Sequence, residues 1–275
     1  ISVVDVASHR QTATIPVNRN GSKLVGANPT GLALSQDGKR LYVTNSGHNE
    51  VAVINAATRK VIGDIPTGWY PTQVLAHDGK LSITSAKGLG AGPNNGPGHP
   101  NPTDPRDTAE NQYSGSMIKG LLSTVSEPDA ATLAKLTATV EKNNTANDPA
   151  RSSAVPNQIG TTSSKIKHVI YIVRENRTFD QELGSNGRGN ADPSLNLFGE
   201  ESAPNTRALA RQFTTFDNFY ADAEVSANGW NWVSQANSNP WSEEMWPSNY
   251  SGRGAPYPAE SNDPDSVSYT HLRAH

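Results

Sequence analysis

The chain has 275 residues and a formal net charge of −3, with acidic and basic residues interspersed, which predicts one or two domains and argues against binding to nucleic acid or anionic membranes. It contains no cysteine, so disulfides, a thiolate nucleophile and cysteine-bound zinc are excluded. It also lacks a run of 18 apolar residues, which predicts that no segment spans a membrane.

The N-terminal part repeats its own sequence pattern. Residues 2–17 align without a gap to residues 52–67, and residues 29–45 align with small gaps to residues 71–85. Each repeat combines Pro-Thr, an apolar strand, an Asp-Gly-Lys turn, a second strand, a polar turn and a third strand. Short strands in units of about 40–45 residues are typical of β-propeller blades, although an ordinary β-meander fits the same pattern.

Turn dipeptides and one four-residue motif sharpen this interpretation. Asp37-Gly38 and Asp78-Gly79 separate alternating segments and predict hairpins, as does the turn Ala56-Ala57-Thr58. Tyr42-Val43-Thr44-Asn45 spells the motif of the YVTN-type β-propeller repeats, and the phased repeat around it resembles that family. The resemblance implies a partial propeller of about two blades over residues 1–126. A ring needs about four to eight blades, so we expect the first blades to be missing.

Different elements are predicted for the middle of the chain. Residues 88–107 are rich in Gly, Pro and Asn and predict a long loop, and residues 116–126 supply one more strand. Asp129 is the predicted N-cap of a helix that ends near residue 143. Polar residues 144–164 complete a helix-and-linker segment, 127–164, with the domain boundary near residue 160.

After the linker, the sequence changes from polar residues to a mainly apolar segment. Residues 166–173, IKHVIYIV, form a near-continuous apolar run, which is typical of a strand buried on both faces. Thr178 and Gln181 have the spacing of a capping box at the start of a helix. Residues 206–213 predict a helix and residues 213–220 the next strand, an order that indicates an α/β layer.

The last part of the chain offers no further site residues. Residues 240–266 are predicted to be loop and contain no histidine. Residues 267–275, VSYTHLRAH, differ in style from the rest and are expected to be a non-native tail. For that reason His271 and His275 are not interpreted as metal ligands.

Glu175 and Asn176 follow the predicted strand of residues 166–173 directly. Ligands bind at the carboxyl ends of the strands in α/β sheets, and an adjacent carboxylate and amide supply two hard oxygen donors. This pair suits a divalent cation that faces a phosphate. The alternative is that Glu175 forms a surface ion pair with Arg174 or Arg177.

Residues 166–184 resemble the opening motif of the phosphoesterase family, which includes bacterial phospholipase C enzymes and acid phosphatases of the alkaline-phosphatase-like superfamily. The family motif Glu-Asn-Arg-(Ser/Thr)-Phe-Asp is complete at residues 175–180. The resemblance implies that residues 165–266 are the N-terminal part of an α/β sandwich domain. It also implies that Glu175 and Asn176 bind a divalent metal ion, and that Phe179 and Asp180 are structural.

A second block, FDNFYADAEVSANGWNWVSQA, resembles the family segment that carries the hydroxyl nucleophile near the start of a helix, where free N–H groups stabilise an anion. Asn228 stands where many relatives have Ser or Thr, and an amide cannot accept a phosphoryl group. Ser226 is therefore the predicted nucleophile, although a turn or N-cap role fits it equally. Asn231 is predicted to help bind phosphate, while Trp230 and Trp232 are predicted to pack.

Proteins exist in which YVTN-type repeats precede an alkaline-phosphatase-like phosphoesterase domain, and this chain resembles them over residues 1–265. The fold expected is therefore mixed, a partial β-propeller followed by the start of an α/β sandwich. The resemblance implies a metal-dependent hydrolase of phosphoric esters, acting on a small phosphate ester or a phospholipid and located in the periplasm or secreted.

The family's later metal ligands lie far downstream of the matched motifs. We therefore expect the 275 residues alone to show no meaningful turnover. The alternative function is a binding protein of the cell surface or periplasm, with a protein partner on the propeller and a catalytically inactive esterase-like domain. Asn228 favours this alternative, and the intact Glu175–Asn176 pair favours the enzyme.

Overall fold

The computed structural model divides the chain into two compact units. The first unit comprises Ile1–Asp148 together with Ala223–His275, and the second comprises Pro149–Asp222. Residues 223–250, which the sequence assigns to the α/β domain, thus cluster with the N-terminal repeats. The residues that the structure describes are 1–18, 26–90, 118–145, 168, 170–235 and 238–250.

The fold is mixed, with three antiparallel sheets in the first unit. The sheets contain strands β1–β2, β3–β6 and β7–β9, each paired with its neighbour in chain order. The nine strands are β1 Ser2–Asp5, β2 Arg10–Thr14, β3 Pro29–Leu34, β4 Arg40–Asn45, β5 Glu50–Asn55, β6 Lys60–Pro66, β7 Pro71–His77, β8 Lys80–Ser85 and β9 Leu121–Ser126. The strand predicted within residues 116–126 is confirmed as β9.

Five α-helices lie within the described residues. The first, fourth and fifth belong to the first unit, and the second and third belong to the second unit. They are α1 Ala130–Thr145, α2 Phe179–Leu183, α3 Pro204–Gln212, α4 Ser226–Gln235 and α5 Pro240–Tyr250. No helix in the described part of the chain is both long and apolar enough to cross a membrane.

The predicted hairpins form where their turn residues indicate. Asp78 and Gly79 connect β7 to β8 with φ of 49° and 66°, the left-handed conformation that a two-residue turn requires. Between β3 and β4, Gly38 has φ 69°, and the carboxylate of Asp37 accepts hydrogen bonds from Ser35 Oγ and Lys39 N at 2.7 and 3.0 Å. These turns fix the register of both hairpins.

The central sheet, β3–β6, is covered on both faces. Tyr42, Val51 and Val53 point into one cluster with Val74, Leu81 and Ile83 of the next sheet, and all six side chains are buried. The alternate residues Val43, Ala52 and Ile54 pack against Ile15 and Val17 from the N-terminal segment. Because both faces are buried, the strand sequence of β5 is continuously apolar from Val51 to Ile54.

Helix α1 covers the outer edge of the central sheet. Asp129 caps it, accepting from Thr132 N at 2.7 Å, as the sequence predicts. Thr137 Oγ1 accepts a hydrogen bond from Asp64 N on the edge strand β6 at 2.9 Å, and Leu133 is buried in the core cluster. A Cβ at Gly63 would lie 2.6 Å from Leu133 Cγ, so only glycine allows this close approach.

Among its described residues, the second unit contains the predicted helices but not the predicted strands. Residues 206–213 fall almost wholly in α3, as expected. Residues 170–173 and 213–220 form no strand, and Ile170 and Phe219 are 87% and 86% exposed. The predictions of a strand buried on both faces at 166–173 and of the next strand at 213–220 are wrong for these described residues. An apolar run becomes a strand only when a neighbour pairs its N–H and C=O groups, and no described segment does so here.

The sequence also misassigns the start of residues 240–266, because residues 240–250 form α5 rather than loop. Asn239 Oδ1 accepts from Ser242 N at 2.8 Å, which makes Asn239 the helix cap. Pro240 occupies the first turn, where its missing N–H costs nothing. The loop residues 91–107, the linker residues 146–164 and the tail 267–275 lie outside the described residues.

Candidate functional site

The predicted metal ligands lie together on a short exposed connection in the second unit. Glu175 and Asn176 follow residues 170–174, which form no regular secondary structure, and precede the cap of α2. Asn176 has φ 72°, in the left-handed region, where asparagine is among the residues that tolerate this conformation best. Both side chains are exposed, so their oxygens are open to a ligand from solvent.

The neighbouring arginines have other partners. Arg174 donates to Thr206 Oγ1 and lies 3.5 Å from Glu182 Oε2. Arg177 donates to the backbone oxygen of Asn176. Among the described residues, therefore, neither arginine forms the ion pair with Glu175 that the sequence leaves open as the alternative. The carboxylate of Glu175 has no hydrogen-bond partner within the described part of the chain.

The rest of the six-residue motif builds the turn into α2. Thr178 Oγ1 accepts from Gln181 N at 3.2 Å, and Gln181 Oε1 accepts from Thr178 N at 3.1 Å, which confirms the predicted capping box. Asp180 Oδ1 accepts from Asp192 N at 3.1 Å. The motif therefore has two parts. Glu175 and Asn176 carry the exposed side-chain oxygens, and Thr178 and Asp180 form hydrogen bonds that fix the backbone that follows them.

The predicted nucleophile begins α4 in the first unit. Ser226 is the first helical residue, and the preceding Val225 carbonyl accepts from Gly229 N at 3.0 Å. The hydroxyl of Ser226 is partly exposed and forms no hydrogen bond to the residues that the structure describes. It therefore does not act as a side-chain cap, and the first amides of α4 give this position the favourable potential for an anion.

Asn228 has a structural role that explains why an amide stands there. Its side chain is fully buried, and Oδ1 accepts from Val225 N at 3.3 Å, closing the first turn of α4. Its Nδ2 donates to Glu224 Oε2 at 2.9 Å and to Glu243 Oε1 at 3.3 Å. A hydroxyl could not make all three bonds, because it has one donor hydrogen.

A lysine from the sheet region completes this network. Lys87 Nζ lies 2.8 Å from Glu224 Oε1 and 2.6 Å from Glu243 Oε2. Lys87, Glu224, Asn228 and Glu243 thus form a closed circuit of hydrogen bonds, which we call the Lys87 ring. The side chains of Lys87, Glu224 and Glu243 are only 19%, 17% and 5% exposed, so water screens these ion pairs weakly.

Lys87 is held rigidly by the chain around it. It lies in the turn after β8, where Lys87 N donates to Trp69 O at 3.1 Å and Ala86 N donates to Tyr70 O at 2.9 Å. Trp69 N in turn donates to Gly88 O at 2.7 Å. Tyr70 has φ 56° and its N–H donates to Asn49 Oδ1 at 2.8 Å, which fixes the strained residue.

Tyr70 packs against the ring. Its aromatic centroid lies 5.3 Å from Lys87 Nζ, within the range of a cation–π contact. Burial, together with the charges of Glu243, Glu244 and Glu224, raises the pKa of Tyr70 well above its usual value. Burial disfavours the ammonium of Lys87, but Glu243 and Glu224 outweigh that effect and raise the pKa of Lys87. Lys87 therefore keeps its positive charge at neutral pH.

Asn231 lies one turn further along α4. It is fully buried, and Nδ2 donates to Ser242 Oγ on α5 at 2.6 Å. Ser242 N is itself bonded to the α5 cap residue Asn239. Asn231 therefore links α4 to α5. Its predicted contact with phosphate stays a prediction. Trp230 and Trp232 are half-buried on the same helix.

The predicted residues fall into two pairs. Glu175 and Asn176 belong to the second unit, and Ser226 and Asn231 belong to the first. Sequence patterns did not identify the Lys87 ring, because Lys87 and Glu224 are 137 residues apart. No group of three or more His, Asp or Glu side chains suited to a metal occurs among the described residues.

Comparisons with known proteins add little. No protein-family model matches the chain, and the curated proteins yield no match. Among solved structures, the hydrazine synthase of Kuenenia stuttgartiensis matches with 21% identity over 30% of this chain and 22% of that chain, at a TM-score of 0.27. A likeness of this size has no bearing on the fold or the activity of this protein.

Proposed function

We propose that this protein hydrolyses phosphoric ester bonds with the help of a divalent metal ion. The observation that carries the proposal is the complete motif of residues 175–180, whose two potential ligands, Glu175 and Asn176, are exposed above a hydrogen-bonded turn. A purely structural motif has no need of an uncompensated carboxylate at this position. The resemblance to the phosphoesterase family supplies the reaction class.

Ser226 is the nucleophile in this proposal. Its hydroxyl is accessible, begins a ten-residue helix and has no hydrogen-bond partner among the described residues that would compete with a substrate. The free N–H groups of the first turn of α4 favour the negative charge of a phosphoryl group beside it. Asn228 is no obstacle to this assignment, since its amide is committed to Val225, Glu224 and Glu243.

The reaction proceeds in two steps. Ser226 Oγ forms a bond to phosphorus while the bond from phosphorus to the leaving oxygen breaks, and the departing alcohol carries away a proton. Water then attacks the phosphorylated serine, which releases phosphate from a monoester or a phosphomonoester from a diester and restores the hydroxyl. Each step exchanges one P–O bond for another, so no redox partner is required.

Glu175 and Asn176 would hold the metal ion. A carboxylate and an amide oxygen are hard donors of the kind that Mg²⁺, Mn²⁺ and Ca²⁺ prefer, and both side chains are exposed here. When bound, the ion would act as a Lewis acid and polarise a phosphoryl oxygen of the substrate. The residues themselves orient that ion and offset part of its charge.

The finer architecture belongs to the same proposal. The four-stranded sheet β3–β6 packs against neighbours on both faces, and β3 lies beside β7 of the next sheet, as in stacked propeller blades. Thr30 Oγ1 and Ser46 Oγ both donate to Pro71 O, which links the two sheets. We assign residues 1–126 to a YVTN-type propeller and residues 165–266 to an alkaline-phosphatase-like domain.

The substrate and location follow from the resemblance alone. A small phosphate ester or a phospholipid headgroup fits the chemistry, in the periplasm or outside the cell. The competing function is a propeller that binds a protein partner, with an inactive esterase-like domain. It is favoured by Asn228, because a buried amide stands where many relatives carry the hydroxyl nucleophile.

The test uses the protein expressed from its complete gene. Hydrolysis of p-nitrophenyl phosphate and of a phosphodiester analogue is measured with and without a chelator. We expect a chelator-sensitive rate that Glu175→Gln lowers on the order of 100-fold, since a metal ion supplies several kcal/mol of charge stabilisation. Glu201→Gln, at an exposed glutamate of the same unit, is the matched control and should keep the full rate.

Two results would contradict this proposal. Full activity of Glu175→Gln would remove Glu175 from the mechanism. No hydrolysis of either substrate by the wild-type protein, at any added divalent metal, would favour the binding protein with an inactive domain.

A further inference from the structure

We infer that Lys87, in the turn after β8, is a positioning residue for the reaction, because it fixes the start of the helix that carries Ser226. This inference rests on the proposed function, in which Ser226 is the nucleophile. It goes further by assigning the sheet region a direct part in the activity. The repeats would then be more than an accessory domain.

The geometry places the Lys87 ring on both sides of Ser226 in the chain. Glu224 precedes the serine by two residues and Asn228 follows it by two, and both side chains bond within the ring. Lys87 Nζ reaches Glu224 and Glu243 at 2.8 and 2.6 Å. The first turn of α4 is therefore tied to the sheet on one side and to α5 on the other.

The anchor itself is stiff, which a positioning residue requires. Backbone hydrogen bonds join residues 69–70 to residues 86–88 at three points, and the ring of Tyr70 lies under the ammonium. The carbon chain of Lys87 is largely buried, so few rotamers remain open to it. A shift of the sheet turn would move Glu224 and with it the backbone on which Ser226 is placed.

Removing the cation has a specific consequence. Glu224 and Glu243 both accept from Asn228 Nδ2, so without Lys87 two carboxylates face one amide with no positive charge between them. Their repulsion would displace Glu224, which lies two residues before the nucleophile. A displacement of about 1 Å at a reacting group can cost on the order of 100-fold in rate.

The experiment compares three variants in the protein expressed from its complete gene. Lys87→Met removes the charge but keeps an unbranched side chain, Lys87→Arg keeps the charge, and Lys80→Met removes an exposed lysine of β8 as the matched control. The kcat and KM values for p-nitrophenyl phosphate are measured for each variant at a temperature where melting curves show it to be folded. Hydrogen exchange is followed in parallel at the Val225 and Gly229 amides, which donate to Asn228 Oδ1 and to Val225 O.

The expected result is a kcat for Lys87→Met that is on the order of 10- to 100-fold lower with KM nearly unchanged, because substrate still binds but the nucleophile is misplaced. Lys87→Arg should recover much of the lost rate, and Lys80→Met should match the wild type. The Val225 and Gly229 amides should exchange faster in Lys87→Met alone, because the hydrogen bonds that they donate close the first turn of α4.

Other outcomes separate the two ideas. A wild-type protein that hydrolyses phosphate esters, with a folded Lys87→Met variant of unchanged kcat, overturns the positioning role and leaves the proposed function standing. Failure of Lys87→Arg to recover any rate also overturns it, since charge is then not what matters. Absence of hydrolysis by the wild type overturns both, and unchanged amide exchange would show that Lys87 does not hold α4.

Discussion

The two units contain apolar runs of similar character that fold differently. In the first unit, Val51–Ile54 is buried in the middle of a four-stranded sheet with partners on both sides. In the second, Ile170–Val173 is exposed and forms no strand, with Ile172 75% accessible, and the run that begins at Phe213 is exposed as well. The residues are alike in hydrophobicity and β propensity, so composition does not account for the difference.

Distance along the chain to the pairing partner accounts for it. Strand β5 finds β4 and β6 through turns of only a few residues, and each hairpin closes with a small loss of chain entropy. The predicted strands at 166–173 and 213–220 could pair only with each other, across about 40 residues, or with more distant segments. Local pairing thus builds the sheets of the first unit, whereas residues 170–173 and 213–220 of the second form no strand.

Truncating one large apolar side chain in each unit tests whether the two units differ in how deeply their apolar residues are buried. Leu81 is fully buried in the core between the two larger sheets, so Leu81→Ala should lower the free energy of unfolding by about 3 kcal/mol. Phe219 is 86% exposed, so Phe219→Ala should change it by less than about 0.5 kcal/mol. Urea unfolding, monitored by circular dichroism, measures both.

Equal losses in the two variants would contradict the comparison. They would mean that Phe219 is buried in solution and that the second unit has a core of its own. If Leu81→Ala lowered the free energy of unfolding by clearly less than the expected loss, the two larger sheets would be loosely packed against each other.

A smaller effect is expected from the hydroxyl of Tyr42. Burial, with the hydrogen bond to Glu127 Oε2 at 2.8 Å, raises the pKa of Tyr42 to about 12. Between pH 10 and 12 the unfolded chain releases the proton that the folded protein retains, so stability must fall as the pH rises through this window. Tyr42→Phe should lose about 1 kcal/mol at pH 8 and then fall less steeply than the wild type above pH 10.

The measurement is urea unfolding of both proteins at pH 8 and pH 11. Tyr70, whose pKa is also raised, titrates in both proteins and therefore cancels in the difference. Parallel pH profiles for wild type and Tyr42→Phe would show that the buried hydroxyl is not what makes the sheet region sensitive to alkali.

The sequence correctly predicted those turns and helix caps that depend on only a few adjacent residues. Asp78-Gly79 requires left-handed backbone at both positions, and Thr178 with Gln181 encodes a reciprocal pair of hydrogen bonds. Helix α5 was not predicted, although Asn239-Pro240 is a cap followed by a first-turn proline. That dipeptide was the available signal.

In the candidate site, too, residues that are adjacent in the chain could be predicted, and residues that are far apart could not. Glu175 and Asn176 could be named from one motif, since both are adjacent in the chain and next to a helix cap. Lys87, Glu224 and Glu243 could not, because no periodicity relates a turn after β8 to residues 137 and 156 positions later. Asn228 looked like a lost nucleophile in the sequence, and only its three hydrogen bonds identify it as a structural amide.

In the proposed mechanism, Ser226 carries the phosphoryl group between the two steps of hydrolysis. The direct measurement is acid quenching of the complete protein during turnover of p-nitrophenyl phosphate, followed by peptide mass analysis. We predict one added phosphoryl group on the peptide that contains Ser226, and none in Ser226→Ala, which should also lose hydrolysis. Turnover with the phosphoryl group on another residue, or undiminished turnover by Ser226→Ala, would contradict the account.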